Sequence, residues 1–160
     1  MTEVLQENSP GLAVELLHHV SLPVRDLDAS KRFYTEVLSL REITRPDFPF
    51  AGAWFQVAAG QLHLIARAPG VDLRDANRPE PTYRLQKGID TRDIHFALRV
   101  KSFSAALKHL DDSGYRENAE GNLKLQVNRP SQHRGAGFPQ IYVLDPDGHV
   151  IEINAQAEDS

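Results

Sequence analysis

Alternation of apolar and polar residues marks two similar stretches of this chain. In His19-Val20-Ser21-Leu22-Pro23-Val24, the residues Val20, Leu22 and Val24 take one face, and His19, Ser21 and Pro23 take the other. His95-Phe96-Ala97-Leu98-Arg99-Val100 repeats the pattern, with His, Leu and Val at the same offsets. A helical pattern follows each strand. Ala29, Phe33, Val37 and Leu40 recur at helical spacing over Ala29 to Leu40, and Asp26 or Asp28 can cap the start. Phe103, Ala106, Leu107 and Leu110 share a face after Ser102, and Gly114 can end that helix in a left-handed conformation.

Each half then closes with a hairpin. Ala53 to Val57 and Gln61 to Ala66 flank the turn Ala58-Ala59-Gly60. Gln140 to Leu144 and Val150 to Ala155 flank Asp145-Pro146-Asp147-Gly148. Leu123 to Val127 predicts a further strand. The expected fold is α+β, two βαβββ modules over residues 13–66 and 94–155, forming a curved mixed sheet around a metal-binding cavity. Residues 67–93 read as a connector, and 1–12 and 156–160 as flexible ends. The loop from Asn128 to Gly137, rich in Arg, Gly and Ser, reads as a lid.

The repeat also carries chemistry. Aligning the two return strands places His63 on Glu152, each bracketed by aliphatics, Leu62/Leu64 and Ile151/Ile153. The aliphatics face the helices, so the ionisable residues point the other way. With His19 and His95 they make four inward groups, assembled by a sheet. Imidazole nitrogens and one carboxylate suit a single divalent ion such as Zn, Ni, Fe, Mn or Co. Four protein ligands on a six-coordinate ion leave positions open for water or substrate, as Lewis-acid catalysis requires. Arg99 shares the inward parity of His95 and can hold a carboxylate or phosphate through two hydrogen bonds; Arg129 in the loop is a weaker candidate of the same kind. Trp54 and Gln56, which alternate with Phe55 and Val57, and Tyr142 complete the candidates to contact a substrate. His18 reads as packed, Phe33 and Tyr34 as core, and His109, His133 and His149 as surface residues.

The sequence resembles the vicinal oxygen chelate superfamily, which includes glyoxalase I, fosfomycin-resistance proteins, extradiol dioxygenases and bleomycin-resistance proteins. The resemblance rests on His18-His19-Val20-Ser21-Leu22-Pro23-Val24-Arg25-Asp26-Leu27 with Phe33-Tyr34, then Trp54-Phe55 and Leu62-His63-Leu64. It continues through Ile94-His95-Phe96-Ala97 and Asp145-Pro146-Asp147-Gly148-His149-Val150-Ile151-Glu152-Ile153. It implies metal ligands at His19, His63, His95 and Glu152, with Glu152 also the catalytic carboxylate. It implies a divalent-metal-dependent enzyme acting on a small molecule chelated through vicinal oxygens, by lyase or isomerase chemistry that moves a proton next to a carbonyl. In glyoxalase I the position matching His63 is typically Glu, so His63 departs from that pattern and is either a fourth ligand or an acid/base beside the metal. The alternatives are Fe(II) ring cleavage by His19, His95 and Glu152, thiol transfer to an epoxide, and a metal-free binder that sequesters a small molecule. The resemblance also implies a homodimer.

Composition narrows the partners. The chain has 160 residues, 41% hydrophobic and 25% charged, enough for one domain with a shared core. No Cys is present, which excludes disulfides, a thiolate zinc site and a Cys nucleophile. A net charge of −4 lacks the basic excess of a nucleic-acid groove. No apolar run is long enough for a membrane span, and the first residues do not form a secretory signal, so a cytoplasmic protein is expected.

Overall fold

The two alternating stretches become edge strands of two four-stranded sheets. The computed structural model describes residues 14–67, 88–130 and 136–159. His133, the middle of the expected lid and most of the expected connector lie outside these residues. The first sheet contains β1 (His19–Val24), β2 (Arg41–Ile43), β3 (Gly52–Val57) and β4 (Gly60–Ala66) in the order β1-β4-β3-β2. The second contains β5 (His95–Arg99), β6 (Leu125–Asn128), β7 (Gln140–Leu144) and β8 (Val150–Asn154) in the order β5-β8-β7-β6. In both, the edge strand pairs parallel with the last strand and the remaining pairs are antiparallel. A parallel pair needs a crossover, and a helix after each edge strand supplies it.

The first helix departs from the expected single span. Helix α1 (Leu27–Arg32) starts at Asp26, whose carboxylate accepts the Ala29 backbone N–H at 2.9 Å. The turn then widens into a π-helical segment over Phe33–Val37, closed by the Leu38 N–H on the Phe33 carbonyl. Consecutive residues on a regular α-helix diverge by a quarter turn or more. The wider turn accompanies burial of both Phe33 and Tyr34. Helix α2 (Phe103–Asp112) is capped by Ser102 as expected, and Gly114 follows it at φ 92°. Beyond the last strand, Asp159 is also engaged, accepting the Ser104 backbone N–H at the start of α2.

The aliphatic faces meet in one core. Val24, Phe33, Tyr34, Phe55, Leu62 and Leu64 from the first module join Phe103, Leu110, Ile141 and Ile151 from the second. Polar contacts fasten the modules as well. Arg25 Nε lies 2.9 Å from Asp147, and the Tyr34 hydroxyl donates to Asp145 Oδ2 at 2.9 Å. The β7–β8 turn is therefore a fastening point between the modules as well as a change of direction.

Candidate metal centre

Strand register brings equivalent residues into two equivalent ladders. Ser21, His63 and Trp54 lie across β1, β4 and β3; Ala97, Glu152 and Tyr142 lie across β5, β8 and β7. His19 and His95 sit two residues before Ser21 and Ala97 on the same strand faces. The predicted parity holds at both strands, with Leu62 and Leu64 in the core and His63 between them.

In the second ladder, Glu152 is 5% exposed and densely hydrogen-bonded. The Tyr142 hydroxyl donates to Oε2 at 2.9 Å and Asn154 Nδ2 donates to Oε1 at 2.6 Å. Burial opposes its charge, but hydrogen bonds from Asn154, Gln140 and Tyr142, with His95 nearby, hold its carboxyl below the usual range. Burial and the same hydrogen bond push the Tyr142 phenol up. His95 Nε2 stands 3.4 Å from Glu152 Oε2. His95 Nδ1 donates to the Asp93 carbonyl at 2.8 Å, which leaves Nε2 facing the carboxylate. A ring nitrogen and a carboxylate oxygen facing each other share either a proton or a cation. Two ligands about 2.1 Å from one ion lie about 3.0 Å apart at an octahedral angle and about 3.4 Å apart at a tetrahedral one, so this pair comes within a few tenths of an ångström of sharing a six-coordinate divalent ion.

The first ladder is a stack of rings. Trp54 lies on His63 with centroids 4.0 Å apart and planes 4° apart, and His63 lies on His19 at 4.3 Å and 13°. His63 Nε2–H donates to Gln61 at 2.8 Å. Burial, then His19 and His18, lower the His63 pKa. Near-parallel rings cannot both direct in-plane lone pairs at an ion between them, so this pair chelates only after one ring turns. Among the described residues no three His, Asp or Glu side chains stand close enough to share a metal ion. The structure thus arranges the four expected ligands as two pairs.

The remaining candidates fall in different places. Arg99 stacks over Phe138 at 4.8 Å and pairs in register with Asn154, whose Oδ1 is buried without a hydrogen-bond partner. Gln56 donates to the Ala58 and Gly60 carbonyls and so secures the β3–β4 turn. Arg129 contacts Glu158 at 3.4 Å. His18 is exposed, with Nδ1 2.9 Å from that of His19, not packed as expected: strand pairing begins only at His19. His149 is also corrected. Its side chain is 12% exposed and held at 2.8 Å by the wholly buried Asp145, because the turn folds back under Tyr34. The spacing of Asp145 and His149 around Gly148 was the available signal.

These features match a known family. The model of the Glyoxalase/Bleomycin resistance protein/Dioxygenase superfamily covers residues 16–153, and the chain belongs to that superfamily. Glyoxylase I 4 of Arabidopsis thaliana is 30% identical over 138 residues, 86% of this chain and 68% of that protein. A lactoylglutathione lyase of the same plant is 25% identical over 84% of this chain, which spans 42% of that protein's length. A glyoxalase-family protein of Bacillus anthracis superposes with a TM-score of 0.64 at 18% identity, covering 91% of this chain and 98% of that one. The fosfomycin resistance protein FosX of Listeria monocytogenes gives 0.58 at 18% identity, covering 90% and 95%. At these identities the structural likenesses establish the fold alone. No helix among the described residues is long and apolar enough to cross a membrane.

Proposed function

We propose that the chain is a divalent-metal-dependent enzyme that moves a proton next to a carbonyl of a small molecule bound through adjacent oxygens. This is the lyase or isomerase class named for its lactoylglutathione lyase relatives. The observation that carries the reading is the 3.4 Å approach of His95 Nε2 to the Glu152 carboxylate. His95 and Glu152 would hold the ion, joined by His19 and His63 from the same chain after a ring turns, or from a second copy in a homodimer. Bound there, the ion supplies Lewis-acid polarisation of the carbonyl.

The protein's own groups do the rest. Asn154 and Tyr142 orient Glu152 from both oxygens, so its position for accepting a proton is set before substrate arrives. Trp54 offers a flat apolar wall beside His63. Arg99 can hold an acidic group of the substrate, while the unpartnered Asn154 Oδ1 can accept an O–H or N–H beside it. The separation of the two ligand pairs favours one second reading, a metal-free binder of small molecules.

Metal analysis of protein purified without chelator or added salts separates the two. Bound metal in the wild type and its loss in His95→Ala and Glu152→Ala supports the enzyme. Equal metal content in all three overturns it. Exchange of the proton beside the carbonyl in methylglyoxal–thiol adducts then tests the reaction. Activity restored by mixing His19→Ala with Glu152→Ala chains shows that two copies share the site.

A further inference from the structure

The proposed centre leaves His149 unused. Asp145, with no exposed surface, accepts four hydrogen bonds, from the Tyr34 hydroxyl, His149 Nδ1 and the backbone N–H groups of Asp147 and His149. Tyr34 comes from the π-helical turn of the first module, so both modules fix this carboxylate. The carboxylate in turn fixes the imidazole, committing Nδ1 to Asp145 and leaving Nε2 on the opposite side of the ring.

His149 lines a groove of about 450 Å³ that runs between the edge strands β1 and β5. Val20, Leu22, Leu62, Phe96 and Leu98 are among the apolar residues of its wall. The polar side chains on it are His19, Gln61, His95 and His149, with no acidic residue among them. Three of the four are otherwise engaged: Gln61 on His63, His95 toward Asp93 and Glu152, and His19 in the ring stack. Of the four, His149 is the one whose Nδ1 is committed to a wholly buried carboxylate, which leaves its Nε2 uncommitted. In either protonation state that nitrogen gives a ligand head group one hydrogen bond, as acceptor from a carboxyl O–H or as donor to a carboxylate.

We propose that this groove binds a small aliphatic carboxylic acid, its chain on the Val20–Leu22–Phe96–Leu98 wall and its head group on His149 Nε2. The volume lies within the range of small-molecule sites, and an apolar wall with a single oriented polar group is their usual form. No acidic side chain lines the groove itself. The groove shares His19 and His95 with the proposed metal centre, but its head-group contact, His149, is not one of the four ligands, so loss of acid binding with metal content unchanged distinguishes this site from the metal reading.

The test is titration of the full chain with octanoate, followed by NMR. The wild type is expected to bind saturably, with intermolecular NOEs from the octanoate chain to the Leu22 and Leu98 methyls and a shift of the His149 ring nitrogen. In His149→Asn the side-chain amide keeps a donor for Asp145 and removes Nε2. Affinity should fall at least tenfold while melting temperature and metal content stay unchanged. If His149→Asn does not fold, the wild-type NOEs and nitrogen shift still decide. Equal affinity in the variant overturns the proposal, as do octanoate shifts confined to His19 and His95. Failure of octanoate to bind, with the groove methyls giving NOEs to a second copy of the chain, overturns it too.

Discussion

The two ladders share one topology and differ in how their central side chain is held. Glu152 is gripped at both oxygens by hydrogen bonds within a buried polar network. His63 rests between two flat rings with one hydrogen bond at its edge. Hydrogen bonds to a charged group fix direction as well as distance, whereas ring stacking tolerates sliding and rotation. The second ladder is therefore preorganised, and the first is adjustable. A duplicated module supplies the positions, and the neighbours at each position decide whether the residue is fixed or free to turn.

The change with the largest expected effect lies at the fastening between the modules. Asp145→Ala strands Tyr34, His149 and two backbone N–H groups that one buried carboxylate now satisfies. The expected loss is about 3–5 kcal/mol of stability, read by urea denaturation. A loss below about 1 kcal/mol would show that the modules hold without this fastening. Next in size, Tyr142→Phe removes a hydrogen bond from the Glu152 carboxylate and should cost about 1.5–3 kcal/mol. Trp54→Leu removes one ring contact from a half-buried position and should cost only about 1 kcal/mol. Equal costs for the last two, measured side by side, would erase the distinction between a gripped and a stacked ladder.

Much of this was readable from the chain because strand parity is a local property. His19, His63, His95 and Glu152 each stand beside aliphatics, and period-2 alternation alone sends them to the face opposite the core. Asp26 and Ser102 likewise announce the two helix starts. What parity cannot say is how side chains settle once there. The pairing of His63 with Trp54 depends on the β3–β4 register, and the approach of His95 to Glu152 depends on a parallel pairing across a helix. The π-helical turn was hidden because the apolar spacing from Ala29 to Leu40 also fits a regular helix. His149 was hidden for a different reason. A His beside a Gly turn looks solvent-facing until the other module's Tyr34 closes over Asp145.

The finest test of the comparison uses the chain's single tryptophan, Trp54, as a reporter on His63. A protonated imidazole stacked on an indole quenches its emission far more than a neutral one, and the 4.0 Å stack places the two rings in contact. Burial, followed by the nearby His19 and His18, holds the His63 pKa below its ordinary 6.5. The folded state thus favours the neutral ring. The stability this contributes is present above pH 6.5 and is lost as pH falls through the lowered value. In chelator-treated protein, quenching of Trp54 should therefore set in with a midpoint below 6.5, and denaturant stability should decline over the same interval. His19→Ala removes both a covering ring and a competing charge, so the midpoint should move up toward the ordinary value. A wild-type midpoint at or above 6.5, or one that His19→Ala leaves in place, would mean that His63 is solvated and not stacked. The first ladder would then lack the ordered ring pair that distinguishes it from the second.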